Sequence, residues 1–391
     1  MSGWRVTACV TALSLTLLGQ AAAEAPETDP SLETDELVIS ATRTPEAIER
    51  SAAAVTVLER DVIQRSPYPG GHELDDVLRS VPGVQPALLS SRYNHPTAQS
   101  VTVNGLGTRR ALVLLDGVPL NDGFGGWINW GLIPNDLERV EIVPGGSSNL
   151  YGTWAMGGVI HVITRTPASG TSLTLDSQAG SLSTYQQALN ARYGSDRFRL
   201  SLGYRWFHTN GIIPVPDYQR GPVDRTNDSR HESFNGSLAW LPTQSTTFDL
   251  SGSYFHEDRT LGTTLSIASR TIGNVSLGMR SDQHRAGLWE GKLFGQWQTF
   301  RNLTSQIIPA PLVRLGEFQN SIQTIPSNDF GGSLQWSGRL FDHDRLVLGT
   351  DARTIIAQST DQLFSQTAYL GQTLSRGQQL GWGLFGEWIL P

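Results

Sequence analysis

The stretch that decides the fold is Phe198-Arg199-Leu200-Ser201-Leu202-Gly203-Tyr204-Arg205-Trp206. Large apolar residues alternate here with small or charged ones. Successive side chains of a β-strand point to opposite faces of its sheet, so one face of this strand is apolar and the other polar. We expect the apolar face to meet lipid, and we expect Arg199 and Arg205 to line a polar lumen.

Segments of this kind recur through residues 168–391. They are 171–180, 184–194, 197–209, 230–241, 246–258, 280–289, 293–305, 327–338, 345–357 and 377–390. Short turns alternate with long loops between them, and aromatic residues gather towards the segment ends, which is typical of an antiparallel transmembrane β-barrel. A soluble β-sandwich has the same alternation, but the segment length and the loop asymmetry favour the barrel.

Composition excludes several classes of protein for these 391 residues. The net charge of −7 argues against general nucleic-acid binding, and the 41 glycines and 20 prolines argue against a helical bundle. Cys9 is the only cysteine, which excludes disulfide frameworks and thiol catalysis from the rest of the chain. No catalytic motif is present. His256-Glu257-Asp258 could bind a metal at a strand end, but a solvated loop edge is the favoured interpretation. We therefore predict a protein that is not an enzyme and that needs no cofactor.

The N-terminus has the pattern of an export signal. Arg5 precedes a short apolar run over residues 6–18, and Ala21-Ala22-Ala23 supplies a small-residue cleavage site. This pattern predicts a secretory signal peptide over residues 1–23.

A polar, acidic segment over residues 24–45 follows the predicted signal and is expected to be flexible. It contains the β-prone island Leu37-Val38-Ile39 followed by Ser40-Ala41-Thr42. A strand on a flexible tether can add to the sheet edge of a partner protein. The residues alone leave this reading open beside a plainer one, in which the island is the first strand of the next domain.

Residues 46–167 have the pattern of a compact α+β domain. Leu74, Val77, Leu78 and Val81 lie on one face of a predicted helix over 72–81. Residues 111–115 form a continuous apolar strand, and Asp116-Gly117 predicts a tight hairpin turn. Residues 137–143 alternate as a half-buried strand does. The segments 89–100 and 121–133 are irregular and rich in aromatic and turn-forming residues, as exposed binding loops often are.

Three motifs of this domain resemble the plug domain of TonB-dependent outer-membrane receptors. They are Leu74-Asp75-Asp76-Val77-Leu78-Arg79-Ser80-Val81-Pro82-Gly83-Val84, the segment 110–122 around Leu114-Leu115-Asp116-Gly117-Val118, and the segment 137–158 around Glu138-Arg139-Val140-Glu141-Ile142. The resemblance covers residues 35–165 closely and the later strands in style. It implies an α+β plug domain followed by antiparallel transmembrane β-barrel strands, in the bacterial outer membrane.

The resemblance also implies partners and a mechanism. Residues Leu37, Val38, Ile39, Ser40, Ala41 and Thr42 look like the TonB box of vitamin B12 receptors. TonB, driven by its inner-membrane energising complex, would pull this segment and open a path past the plug. The expected ligand is a metal chelate, a ferric siderophore or cobalamin. A monomer in outer-membrane lipid is expected, with no nucleic-acid partner.

Four residues of the two irregular segments are candidates for ligand contact. They are Arg92, Tyr93, Trp127 and Trp130, because arginine suits anionic chelates and aromatic rings suit apolar ligand faces. For each of them a packing role stays open beside ligand contact.

The chain departs from the family pattern in two ways. Asn104 and Pro144 stand where the family usually has arginines that latch the plug to the barrel wall. In addition, about ten strands are present, and a closed barrel of that size has no room for a plug. We therefore expect the N-terminal part of a longer receptor. The alternative is a truncated, non-transporting fragment or a plug-bearing binding module.

Overall fold

The structure is a computed structural model, and it describes residues 37–38, 46–47, 55–65, 73–106, 109–146, 155–283, 287–309, 314–339 and 344–389. The predicted signal peptide, 1–23, lies outside these ranges. Strand β1 (Leu37–Val38) pairs antiparallel with β2 (Glu46–Ala47), with Leu37 opposite Ala47. Among the described helices, none has the length and apolar character needed to cross a membrane.

The α+β part contains two short helices and two small sheets. Its elements are β3 (Thr56–Glu59), α1 (Arg60–Gln64), α2 (Leu74–Leu78), β4 (Val84–Pro86), β5 (Val101–Val103), β6 (Ala111–Leu115), β7 (Val118–Pro119), β8 (Leu137–Pro144) and β9 (Gly158–Thr164). The larger sheet has the order β3-β8-β9-β6-β7, in which only β6 and β9 run parallel. Strands β4 and β5 form a separate antiparallel pair.

Local sequence explains most of these elements. Helix α2 buries Leu74, Val77 and Leu78, the face that its spacing predicted, although the helix is shorter than expected. Strand β6 is buried along nearly its whole length, as a continuous apolar run in the middle of a sheet should be. Asp116 and Gly117 both have positive φ, 46° and 83°, which is the geometry of a tight two-residue hairpin between β6 and β7.

Strand β8 differs from its predicted half-buried state. Its predicted polar face includes Glu141, yet Glu141 is fully buried and accepts a hydrogen bond of 2.8 Å from Nε of Arg139. Glu141 lies opposite His161 of β9. The alternation of the sequence therefore does not lead to exposure here, because the face that carries Glu141 is buried as well.

A second, larger sheet follows the α+β part. Its ten strands are β10 (Gly170–Gly180), β11 (Thr184–Gly194), β12 (Phe198–Thr209), β13 (Ser229–Thr243), β14 (Thr246–Thr260), β15 (Ile267–Gln283), β16 (Gly287–Ile308), β17 (Gly316–Gly338), β18 (Arg345–Phe364) and β19 (Tyr369–Ile389). Each pairs antiparallel with the next, from β10 to β19. The described strands do not close on themselves, so they form an open wall rather than a complete barrel.

The ten strands confirm the predicted number, but one predicted strand is misplaced. The segment 280–289 covers the end of β15 and the beginning of β16, and the predicted long loop over 258–280 contains most of β15. Strands β16 and β17 are 22 and 23 residues long, whereas about 9–11 residues suffice to cross a bilayer. Where a strand extends beyond the membrane, neither of its faces meets lipid. Apolar alternation is not required there, so the sequence resembles that of a loop.

The outer face of the wall is apolar, as the opening stretch predicted. Leu202 and Tyr204 of β12 are exposed, and Tyr204 lies opposite Phe234 of β13. Trp240 and Phe248 stack with their ring centroids 5.6 Å apart. Arg205, on the other face of β12, is buried against the α+β domain.

The α+β domain packs on the inner face of the wall through two apolar contacts. In the first, Trp130 and Leu132 share a core cluster with Phe255 and Ile272 of the wall. In the second, Trp127 packs on a cluster of wall residues, Ala268, Phe300 and Ile325. The two contacts fix the segment 121–133 against β14–β17.

Gly131 is required at the first of these contacts. A Cβ added there would lie 2.3 Å from Cε2 of Phe255, far below van der Waals distance. We expect Gly131→Ala to lower the free energy of unfolding by about 1–3 kcal/mol in a urea titration of the purified protein. Gly273→Ala is the control, because a Cβ there meets nothing within 4 Å. Equal losses from the two variants would contradict the close contact.

Candidate functional site

The two irregular segments of the α+β domain meet the wall on the side of its longer connections. Nδ2 of Asn227 donates to the carbonyl oxygen of Tyr93 at 2.7 Å. Nε2 of His95 lies 3.3 Å from Oδ1 of Asn302. Short 3₁₀ helices at Pro96–Ala98 and Trp130–Leu132 hold the ends of these segments. The predicted binding segments therefore lie side by side against the wall.

Buried arginines of the wall form the main polar contact with these segments. Arg259 and Arg270 each pair with Glu257 at 2.7 Å, and all three side chains are at most 2% exposed. Nη2 of Arg259 donates to the carbonyl oxygen of Ser91 at 2.7 Å. Nη1 of Arg270 donates to Oδ1 of Asn129 at 3.0 Å.

A third wall arginine reaches the start of helix α2. Nη1 of Arg205 lies 3.3 Å from Oε1 of Glu73, and its Nη2 donates to the carbonyl oxygen of Gly131 at 2.7 Å. His231 approaches the same carboxylate at 3.5 Å. We call Arg205, Arg259, Arg270 and Glu257 the arginine cluster. It places wall cations on carbonyl, amide and carboxylate oxygens of the domain.

The arginine cluster bears on the two departures noted in the sequence. Asn104 has a positive φ of 51° and occupies a turn, where its N–H donates to the carbonyl oxygen of Gly83 at 2.8 Å. Pro144 ends β8 opposite Gly158. In the described ion pairs between the domain and the wall, the wall supplies the cations, Arg192 and Arg205, and the domain supplies the carboxylates. Their polarity is the reverse of that of the predicted family latch.

Arg92 is buried and engaged within its own domain. Its Nη2 lies 2.8 Å from Oδ2 of Asp76, and the side chain is 7% exposed. Asp76 also pairs with Arg79 at 3.1 Å and accepts from Oγ of Ser90 at 2.8 Å. Arg92 therefore stabilises the turn at residues 90–92 in this structure.

The three aromatic candidates are placed differently from one another. Trp130 and Trp127 are buried, and the ring of Trp127 lies 5.7 Å from that of Phe300. Tyr93 is half-buried at the edge of the arginine cluster. The four candidates do not line one shared pocket, and their role in ligand contact stays a prediction.

The arginine cluster is the feature that sequence reasoning missed. Arg205 was assigned to a polar lumen, but its contact with Glu73 was not foreseen. The signal was present in β14, where Glu257 and Arg259 are two residues apart and so share a face. Their opposite charges on the lumen face indicate an ion pair that points inward. The second arginine of the cluster, Arg270, could not be placed from sequence, because it belongs to β15 and that segment is predicted to be a loop.

The turn at residues 90–92 is tied to helix α2 by a titratable group. Ser91 donates to Asp75 twice, from its N–H at 2.8 Å and from Oγ at 2.7 Å. Burial is the main reason that the pKa of Asp75 rises to about 7, and the nearby Asp76 and Glu73 carboxylates add to it. The proton of Asp75 is therefore held in the folded state up to a pH at which an unfolded aspartate has lost it.

This shift predicts a pH dependence of stability. The pKa of Asp75 is raised from 3.8 in the unfolded chain to about 7 in the folded protein. The contribution of Asp75 to the free energy of unfolding is therefore largest at a pH below 3.8, and it is lost as the pH rises from 3.8 to about 7. We expect the melting temperature of Asp75→Asn to fall less across this window than that of the unchanged protein. Asp61→Asn, at an exposed side chain, is the control and should leave the slope unchanged. An unchanged slope in Asp75→Asn would contradict the shift.

No metal centre emerges in the part of the chain that the structure describes, since no group of three or more His, Cys, Asp and Glu side chains is arranged to hold an ion. His256 pairs with Asp258 at 3.2 Å at the end of β14. Glu257 between them points the other way, into the arginine cluster.

Comparison with known proteins identifies the class. Residues 47–159 match the family model described as the TonB-dependent receptor plug domain. The fold and this match make the α+β part a plug domain, and the chain has the fold of a TonB-dependent outer-membrane receptor, as the resemblance predicted. Receptors of this family are outer-membrane proteins, and the predicted location in the bacterial outer membrane is confirmed.

Particular relatives are known transporters and receptors. The chain is 33% identical over 148 residues to the vitamin B12 transporter BtuB of Vibrio vulnificus. The aligned stretch covers 38% of this chain and 23% of that transporter. The ferripyoverdine receptor of Pseudomonas aeruginosa aligns with a TM-score of 0.68 and 14% identity over 89% of this chain and 51% of that one.

The copper transporter OprC aligns with a TM-score of 0.70 and 15% identity, over 87% of this chain and 53% of that one. The chain thus spans about half the length of these solved structures.

Proposed function

We propose that the chain is the plug and the first part of the wall of a receptor that imports a metal chelate actively across the outer membrane. The observation that carries this proposal is the plug domain held on the inner face of the wall by buried charges. Such a plug blocks the lumen, so uptake requires work to move it. The proposed ligand is a ferric siderophore or cobalamin.

We infer that the work comes from TonB and its inner-membrane energising complex, acting on residues Leu37–Thr42. Leu37–Val38 already adopt strand geometry by pairing with Glu46–Ala47, which supports their ability to add to a partner's edge. Residues 39–42 lie outside the described residues. Binding to TonB would exchange the short pairing with β2 for a longer one.

The proposed organisation follows the sequence analysis. Residues 1–23 are the signal peptide, 24–45 the periplasmic segment with the TonB box, 46–167 the plug domain and 168–391 the wall in outer-membrane lipid. We propose that the receptor acts as a monomer. Among the candidate residues Tyr93 is the best placed for ligand contact, because it is the one of the four that is not buried.

Deletion of Leu37–Thr42 in the host's gene tests the transport mechanism. We expect uptake of the ligand to collapse while its binding to the cell surface persists, because the deletion removes the coupling and leaves the plug unchanged. Cells are offered radiolabelled cyanocobalamin and radiolabelled ferric siderophores in separate measurements of uptake and binding. Deletion of Glu27–Leu32, which shortens the same tether equally, is the control and should leave uptake intact.

Each other outcome has a defined meaning. Unchanged uptake after deletion of Leu37–Thr42 contradicts energy transfer through this segment. Surface binding without uptake in the unaltered strain contradicts transport and supports the alternative, a plug-bearing binding module.

A further inference from the structure

The inner face of the wall carries two uncharged polar rows. In the first row Ser201, Ser237, Ser251 and Ser276 are consecutive partners across β12–β15. Oγ of Ser251 and Oγ of Ser276 are 2.8 Å apart. The neighbouring row on the same face crosses β11–β15 and consists of Asn190, Gly203, Asn235, Ser253 and Asn274. We call the two rows the serine–asparagine rows.

The serine–asparagine rows face a cleft between the wall and the plug. The cleft has a volume of about 60 Å³, enough for a few water molecules. Its plug side is mixed. The apolar members are Leu115, Val118, Leu120, Leu132 and Pro134, and the polar members are Asp116, Asp136, Thr164 and Arg165. The hydroxyl and amide groups of the rows thus face this mixed plug surface across a gap.

Two plug residues of the cleft lining are tied to the wall by single contacts. Asp136 pairs with Arg192, and Nζ of Lys292 donates to the carbonyl oxygen of Asp116 at 2.7 Å. The arginine cluster, by contrast, joins plug and wall through several buried charged hydrogen bonds. Charge-assisted bonds in a dry site resist separation more than a wet gap does.

We propose that the plug separates from the wall first at this cleft, and that the serine–asparagine rows then line the passage for a neutral ligand rich in amide and hydroxyl groups. The inference about the ligand rests on the proposed transport function. The inference that the plug separates first at this cleft is independent of that function.

The charge of the cleft is the reason for a neutral ligand. The rows offer donors and acceptors but no cation, and on the plug side the one arginine, Arg165, is outnumbered by Asp116 and Asp136. The described lining therefore has no excess of positive charge, which a polyanionic chelate would need along its path. The arginines nearest the predicted binding segments are already engaged, Arg92 by Asp76 and Arg259 by Glu257. The aliphatic part of the plug side suits the aliphatic faces of the same ligand. Among the proposed ligands cobalamin has this character.

Thiol labelling tests the separation. Ser276→Cys, in the cleft, and Ser327→Cys, on β17, replace lumen-side serines that are both buried, 3% and 7% exposed. Both are made with Cys9→Ala, so that each protein has one thiol. The purified protein in detergent is pulsed with a maleimide at increasing urea. We expect Ser276→Cys to react at a midpoint about 1 M urea lower than Ser327→Cys. Equal or reversed midpoints overturn the proposal.

Uptake tests the passage in cells that carry Ser276→Cys. Before labelling, we expect uptake of cyanocobalamin and none of ferric citrate. A bulky maleimide on Cys at this position should abolish most of the uptake, and the same treatment of Ser327→Cys should not. Uptake of ferric citrate instead of cyanocobalamin overturns the ligand assignment, and unimpaired uptake after labelling overturns the passage. Failure of the transport function is recognised separately, by uptake that does not respond to deletion of Leu37–Thr42.

Discussion

Glu257→Gln should lower the free energy of unfolding by about 3–5 kcal/mol. The substitution keeps the shape of the side chain but leaves Arg259 and Arg270 buried without the carboxylate that compensates both of them. An unpaired charge in a buried site costs far more than an ion pair contributes at a surface. Urea titration of the purified protein in detergent measures the loss.

The matched control is Glu290→Gln on β16. Glu290 pairs with Arg280 in the same antiparallel wall, but this pair is partly exposed, with 26% and 45% of the side chains accessible. We expect a loss of about 1 kcal/mol or less. If Glu257→Gln is as mild as Glu290→Gln, the arginine cluster is not what holds the plug.

Trp130→Ala should also cost about 3–5 kcal/mol of unfolding free energy, through lost packing of a fully buried ring. Trp130 is 1% exposed and belongs to the core cluster that includes Phe255 and Ile272. The same urea titration measures this loss. It also decides between the two roles that the sequence left open for Trp130.

A ligand-contact role has a different signature. It would reduce binding of cyanocobalamin or a ferric siderophore while leaving the free energy of unfolding nearly unchanged. Leu88→Ala, at a plug side chain that is 93% exposed, is the control for stability and should change it by no more than about 0.5 kcal/mol. A loss of binding by Trp130→Ala with control-like stability contradicts the packing role.

Prediction from sequence succeeded where one physical constraint acts along the chain. In β12 lipid on one side and a polar interior on the other force a period of two, and the bounds of the strand came within one residue. In α2 the spacing of Leu74, Val77 and Leu78 identified the buried face. The turn at Asp116-Gly117 could be predicted because these two residue types readily adopt the positive φ that a tight hairpin requires.

Prediction failed where that constraint lapses. The outer parts of β16–β18, which are 22, 23 and 20 residues long, extend beyond the length of about 9–11 residues that a bilayer requires, so their sequences need not alternate. This reason does not account for β15, where Val275 and Leu277 alternate outward. Burial of Glu141 was missed for a different reason, because a sequence period cannot report whether the rest of the fold covers a polar face.

The sequence by itself determined the plug motifs, the alternation of strands such as β12 and the charge of each lumen-facing residue, because these depend on residue type and spacing along one segment. Only the tertiary structure decided which charges meet. Glu73, Arg205 and Glu257 lie far apart in the chain and come together through strand register and plug docking. The serine–asparagine rows arise in the same way, since each strand supplies one member and only the pairing of β11–β15 aligns them opposite a gap.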